Sequence, residues 1–270
     1  MKNSTQKIQW WWLSGQATLN PPGRVELGDG LWFDANNLNS LTLSGSQVQS
    51  WSSAGGQTFT ATPQAGEEPL LVDNQINDLP IVRFDGTEAL SGALSVPFTP
   101  REGFVVVKHN RTGVFDRIFA FGTGTTTLLE YISSSVDDEA YKIQNNNSSE
   151  QLFQSSIALN QEEFNILGVV LQITLDGSVT SQQRFNTEVV ASQNSITPTI
   201  ADVFNIAQNQ TGGGRGQYDI AEIIIYDRVL TNSERSSVQN YIINKYFPTA
   251  ILTPSGSPLL DPNKNIVLMP

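Results

Sequence analysis

The stretch QYDIAEIIIYDRVLTNSERSSVQNYIINKYF, residues 217–247, decides the fold. Ile220, Ile223, Ile224, Ile225 and Tyr226 are β-branched or aromatic and fall on both faces of an extended chain. They predict a central strand buried on two sides. Thr231 stands three residues before Glu234, the pairing in which each side chain satisfies a loose amide at a helix start. Val238, Tyr241, Ile242 and Tyr246 then recur at helical spacing as one apolar face, and Pro248 stops the helix. A buried strand feeding one terminal helix is the best-defined signal in the chain.

Working outward, short strands and turn signals fill the preceding sequence. GLWFDANN (30–37), VQSWSSAGGQTFTAT (48–62), LPIVRFDGTEALSG (79–92) and GFVVVKHN (103–110) come first. DRIFAFG (116–122), TLLEYIS (127–133), EAYKIQ (139–144), QLFQSS (151–156) and DVFNIAQ (202–208) are further strands. In LQITLDGSVTSQQRF (171–185), Leu171, Ile173 and Leu175 alternate with polar residues, and Asp176-Gly177 supplies a tight turn. Numerous strands and a single helix predict an all-β sandwich over residues 30–247, taken as one domain. Residues 1–29 form an arm, and the proline-rich residues 248–270 an extended tail.

The formal net charge is −11 and the pI about 4.5. No basic cluster offsets that charge, so nucleic acid and anionic membrane surfaces are disfavoured as partners. Without cysteine there is no disulfide and no thiolate chemistry. The N-terminus lacks a secretory apolar region and no 18-residue apolar run exists, so the expectation is either synthesis in the cytosol, which Met1 favours, or a mature form with its signal removed, in both cases without membrane insertion. In the arm, Trp10, Trp11 and Trp12 are adjacent. Three indoles of about 150–250 Å² each gain roughly 10 kcal/mol on burial, as an upper bound. The arm therefore docks, either on its own domain or on another chain.

GLWFDA, VQSWSSAGGQTFTAT, LPIVRFDGTEAL, the Asp176-Gly177 hairpin and IAEIIIYDRVLTNSERSSVQNYIINKY occur in order. Together they resemble a laminin G-like, concanavalin A-like jelly-roll domain over roughly residues 30–247. The resemblance implies two stacked antiparallel sheets of about six or seven strands, one of them concave. It also places Trp32 and Trp51 in the core. One departure is Ser52-Ser53-Ala54, where related sequences carry an acidic residue. The scaffold alone fixes no function, because it hosts lectins, adhesion modules, glycosidases and virion proteins.

Glycosidase chemistry on this scaffold needs two carboxylates projecting together, typically as E-x-D-x-E, and that motif is absent. Asp137-Asp138-Glu139 reads as a loop. Asp219 and Glu222, three apart on a strand, are expected on opposite faces, with Glu222 on the side of Ile220, Ile224 and Tyr226 in a structural role. His109, the single histidine, reads as the start of a surface loop. TGGGRGQ (211–217) lacks the Gly-Lys-Ser/Thr ending of a phosphate loop and reads as a turn, with Arg215 a candidate contact to a ligand or neighbouring chain. Asp73, Asn74, Asp78 and Asp85 offer oxygens without a calcium-loop spacing. Tyr131 and Tyr141 are candidate glycan platforms. No catalytic residue, metal ligand or cofactor is expected.

Three functions remain in play. The first is a non-catalytic structural or adhesion protein of a bacteriophage virion: a capsid decoration, head fibre or tail protein. Both arms would contact other subunits of an oligomer or larger assembly, and surface glycans are further partners. The second is a carbohydrate-binding module of a secreted or surface bacterial protein. The third is a polysaccharide hydrolase or lyase of the same fold. The first implies the virion surface, the second the extracellular space or the bacterial cell surface.

Overall fold

The computed structural model describes residues 30–110, 116–123, 126–133, 140–145, 151–158, 163–175, 178–194, 200–209, 211–248, 259 and 266. Seventeen strands are arranged in two antiparallel sheets. They are β1 (Leu31–Asp34), β2 (Leu41–Ser44), β3 (Gln47–Ser52), β4 (Thr60–Ala61), β5 (Leu70–Ile76), β6 (Leu79–Asp85), β7 (Leu90–Phe98), β8 (Glu102–His109) and β9 (Asp116–Thr123). The rest are β10 (Thr126–Ser133), β11 (Ala140–Asn145), β12 (Gln151–Ala158), β13 (Phe164–Leu175), β14 (Ser178–Phe185), β15 (Glu188–Asn194), β16 (Ala201–Ile206) and β17 (Gln217–Tyr226). The one α-helix among the described residues is α1 (Asn232–Tyr246).

The smaller sheet has six strands in the order β12-β11-β10-β9-β16-β7. The larger has 11, in the order β15-β14-β13-β8-β17-β6-β5-β3-β2, with β1 paired to β17 and β4 to β3. That exceeds the six or seven the resemblance implies. One reason is that β17 shares one edge between two partners: Gln217 to Ile220 pair with β6, and Glu222 to Ile225 with β1. Its other edge pairs with β8. Every residue of β17 after Gln217 is buried, as its apolar run on both faces predicts.

Two apolar clusters flank the larger sheet. Between the sheets, Phe33 stacks on Phe204 at 5.6 Å and meets Trp51 edge-on, also at 5.6 Å. Such offset and edge-on ring pairs add attraction beyond the area they bury. On the outer face, Trp32, Phe104, Val106, Ile224 and Tyr226 pack against Val238, Tyr241, Ile242 and Tyr246 of α1. Thr231 and Glu234 close the expected reciprocal cap. Glu102 and Arg235 pin the helix start: Nε and Nη2 of the arginine lie 2.6 and 2.9 Å from the carboxylate, both groups buried.

Three expectations are corrected. Asp219 and Glu222 share a face. The β17–β8 register jumps between Ile220 and Glu222, making Ala221 the extra residue of a β-bulge. Tyr218, Ile220, Ile223 and Ile225 therefore face the inter-sheet core, while Ala221, Ile224 and Tyr226 face the helix. Ile220 is thus on the opposite side from Glu222. The second concerns Asp78, noted in the sequence only as an oxygen without a calcium-loop spacing: with Asn77 it makes a turn. Asn77 and Asp78 have positive φ (48° and 58°) and close the two-residue hairpin between β5 and β6.

His109 is the third correction. It is the last residue of β8, 5% exposed, with its ring 5.0 Å from that of Tyr218. The strand runs one step further into the interior than the Lys-His-Asn sequence suggests. Burial pushes its imidazole down from 6.5 to about 4. With the folded value below the unfolded one, its stabilising contribution is present above pH 6.5 and is lost as pH falls towards 4. Urea unfolding of the wild type should lose about 2 kcal/mol more between pH 7 and pH 5 than that of His109→Gln. Parallel pH profiles for the two proteins would show that the imidazole carries none of the effect.

Candidate functional site

The end of α1 builds a groove of about 460 Å³ lined by Ile76, Asn77, Glu163, Phe164, Tyr246, Phe247, Pro248 and Ile266. That is the size range of a small-ligand site. Its residues come from the β5–β6 hairpin, the start of β13, the end of the helix and the tail. Phe247 follows the last helical turn and donates its N–H to Ile243 O, and Pro248 prevents the helix from continuing. Asn77 Nδ2 donates to Lys245 O at 2.7 Å, satisfying one of the carbonyls a helix end leaves without a partner. Glu163 is exposed, Phe164 half-buried, and Tyr246 and Phe247 buried.

The groove stands on a buried polar network. Lys245 Nζ lies 2.8 Å from Asp34 Oδ2 and 3.0 Å from Glu222 Oε2. Glu222 also accepts from Trp32 Nε1 at 2.6 Å and Tyr241 O–H at 3.0 Å. Lys245 sits over the Tyr246 ring, 4.8 Å from its centroid. Burial pushes the Glu222 carboxyl up, Lys245 pulls it back, and Asp34 pushes it up again. Burial and the neighbouring carboxylates hold the Tyr241 and Tyr246 hydroxyls well above their usual range, so both stay protonated donors. The structural role expected of Glu222 is the one it has, with partners on β1 and α1.

Rings, one amide and one carboxylate line this groove. A ring face and polar side chains can hold a sugar by stacking and hydrogen bonding. Two carboxylates flanking a glycosidic bond, the general acid–base arrangement, are not among its described lining residues. The sequence marks none of this, because the lining residues lie near positions 76, 163, 246 and 266.

The residues singled out in the sequence lie elsewhere. Trp10, Trp11 and Trp12 are outside the described residues. Tyr131, in β10, stands opposite Phe119 and Ile143, and Tyr141, in β11, opposite Ser133. Arg215 turns back onto its own chain: Nη2 is 2.8 Å from Glu67 Oε2, and further bonds reach Thr87 O and Gly212 O. Asn209 Oδ1 accepts from Thr211 and Gly213, so this asparagine is held within its own turn. Ser53, in the departure from the acidic pattern, accepts from Trp32 N and Gly55 N. Trp32 and Trp51 are buried, as expected. Among the described residues no group of three or more histidines or carboxylates is placed to hold a metal, and no helix is long and apolar enough to cross a membrane.

No protein-family model matches the sequence, and no curated protein matches it. Solved structures do resemble the fold. Domain 4 of AbnA, a GH43 extracellular arabinanase from Geobacillus stearothermophilus, solved in complex with arabinotriose, superposes with a TM-score of 0.55 at 14% identity. The match covers 78% of this chain and 96% of that domain. A Trypanosoma rangeli sialidase in complex with sialic acid gives 0.50 at 11%, covering 80% of this chain and 33% of the enzyme. A mutant of that sialidase displaying trans-sialidase activity gives 0.52 at 10%, with the same coverage. The chain spans about a third of the length of these sialidases. At such identities the likeness is one of fold: a lectin-like β-sandwich.

Replacing Lys245 with methionine leaves Asp34 and Glu222 facing each other in a buried site. Unfolding free energy should fall by about 3–5 kcal/mol, as when one partner of a buried pair is removed. Adding Glu222→Gln to Lys245→Met should restore part of it. Equal stability of the wild type and Lys245→Met in urea would show that the helix is held by apolar contact alone.

Proposed function

We propose that this chain is a non-catalytic, extracellular carbohydrate-binding module with a laminin G-like, concanavalin A-like sandwich, and that its ligand sits in the groove at the end of α1. The observation that carries this reading is the groove itself: about 460 Å³, lined by half-buried Phe164 and exposed Asn77 and Glu163 together with buried Tyr246 and Phe247. The fold likeness to an arabinanase domain solved with arabinotriose supports it as an analogy of scaffold. The non-catalytic part is supported by how four of the five buried carboxylates among the described residues are used. Asp34 and Glu222 hold Lys245, Glu102 holds Arg235, and Asp219 holds Arg83 at 2.7 Å.

The virion-display reading rested on arms reaching other subunits. Of those arms the described residues are Pro248, Leu259 and Ile266, and Ile266 packs on this domain's own helix cluster. The carbohydrate reading is therefore preferred.

A glycan array probed with the full chain should give signal above an unrelated β-sandwich control. Phe164→Ala should weaken the best ligand by about tenfold, the equivalent of 1.4 kcal/mol. The same polysaccharides should show no turnover beside a positive-control hydrolase. A blank array for the wild type, or turnover, overturns the reading.

A further inference from the structure

We propose that the groove selects uncharged sugars and turns acidic sugars away, an inference that rests on the carbohydrate-binding reading above. Glu163 is the one charged residue among the described lining residues, and it is exposed. Acidic sugars are ordinarily held by an arginine or lysine that meets the carboxylate directly. Among the described residues near this groove, Lys245 and Arg83 are already engaged by carboxylates.

Lys245 lies beneath the helix end, but its side chain is 6% exposed and its ammonium contacts both Asp34 and Glu222. Lys108 stands opposite Phe164 on one side and Asp219 on the other, in a row across three neighbouring strands. Arg83 continues that row and binds Asp219 in a two-pronged contact at 2.7 and 2.8 Å. The hairpin that carries Asn77 adds exposed Asp73 and Asp78, and the whole chain carries −11. A sugar carboxylate entering the groove therefore meets Glu163 and an acidic flank, within a field of the same sign.

The test uses matched ligands that differ by acidic groups: lactose against sialyllactose, and galactan against polygalacturonan, each measured with the full chain. The neutral member of each pair should bind at least tenfold tighter. Glu163→Lys, a surface change whose folding is checked by its melting curve, should narrow that ratio or reverse it. High salt should narrow it in the wild type. Acidic members binding as tightly as neutral ones would overturn the charge selection while leaving carbohydrate binding intact. A wild type that binds no member of either pair overturns both.

Discussion

Lys245 holds the outer half of this molecule in place. A strand-rich sandwich needs no helix to close its inter-sheet core. The outer face of β17 and β8, however, carries Phe104, Val106, Ile224 and Tyr226 and has to be covered. Helix α1 covers it with Val238, Tyr241, Ile242 and Tyr246, and contact of that kind is non-directional. The ammonium of Lys245 between Asp34 and Glu222 supplies direction, because it satisfies its charge in one rotational setting of the helix. Arg235 on Glu102 does the same near the helix start. With both ends fixed, the last turn and Phe247 can serve as one wall of a groove.

The bulge at Ala221 makes that arrangement possible. Without an extra residue, Asp219 and Glu222 would point to opposite faces, and one of them would enter the ring cluster between the sheets. The inserted residue sets Asp219 beside Arg83 and Glu222 beneath Lys245, both on the outer face. A single irregularity in an otherwise regular ladder thus decides which carboxylates are compensated.

Much of the architecture could be read from the chain, and the reasons are particular. Ile223, Ile224, Ile225 and Tyr226 leave no polar face, so central burial follows from composition alone. Thr231 and Glu234 spell a cap whose geometry is local. The bulge leaves no comparable mark, since alanine is compatible with either face: strict alternation puts Glu222 with Ile224 and Tyr226, as found, but sets Ile220 and Asp219 on the wrong sides of it. His109 looked like an exit to a loop because its covering partner, Tyr218, comes from a distant strand. Asp78 was noted for its oxygens, whereas its tolerance of positive φ, shared with Asn77, is the property in use. Local patterns survive in a sequence; contacts between distant positions do not.

The backbone of Lys245 accepts a bond from Asn77 while its side chain reaches Asp34 and Glu222. Groove wall and helix anchorage thus meet at one residue, and fraying of the last helical turn dismantles both together. Occupancy of the groove is for that reason linked to the local unfolding equilibrium of the helix end. A molecule held in the groove would be registered as slower amide exchange that extends from the wall residues Tyr246 and Phe247 back to Ile243, one helical turn behind the contact.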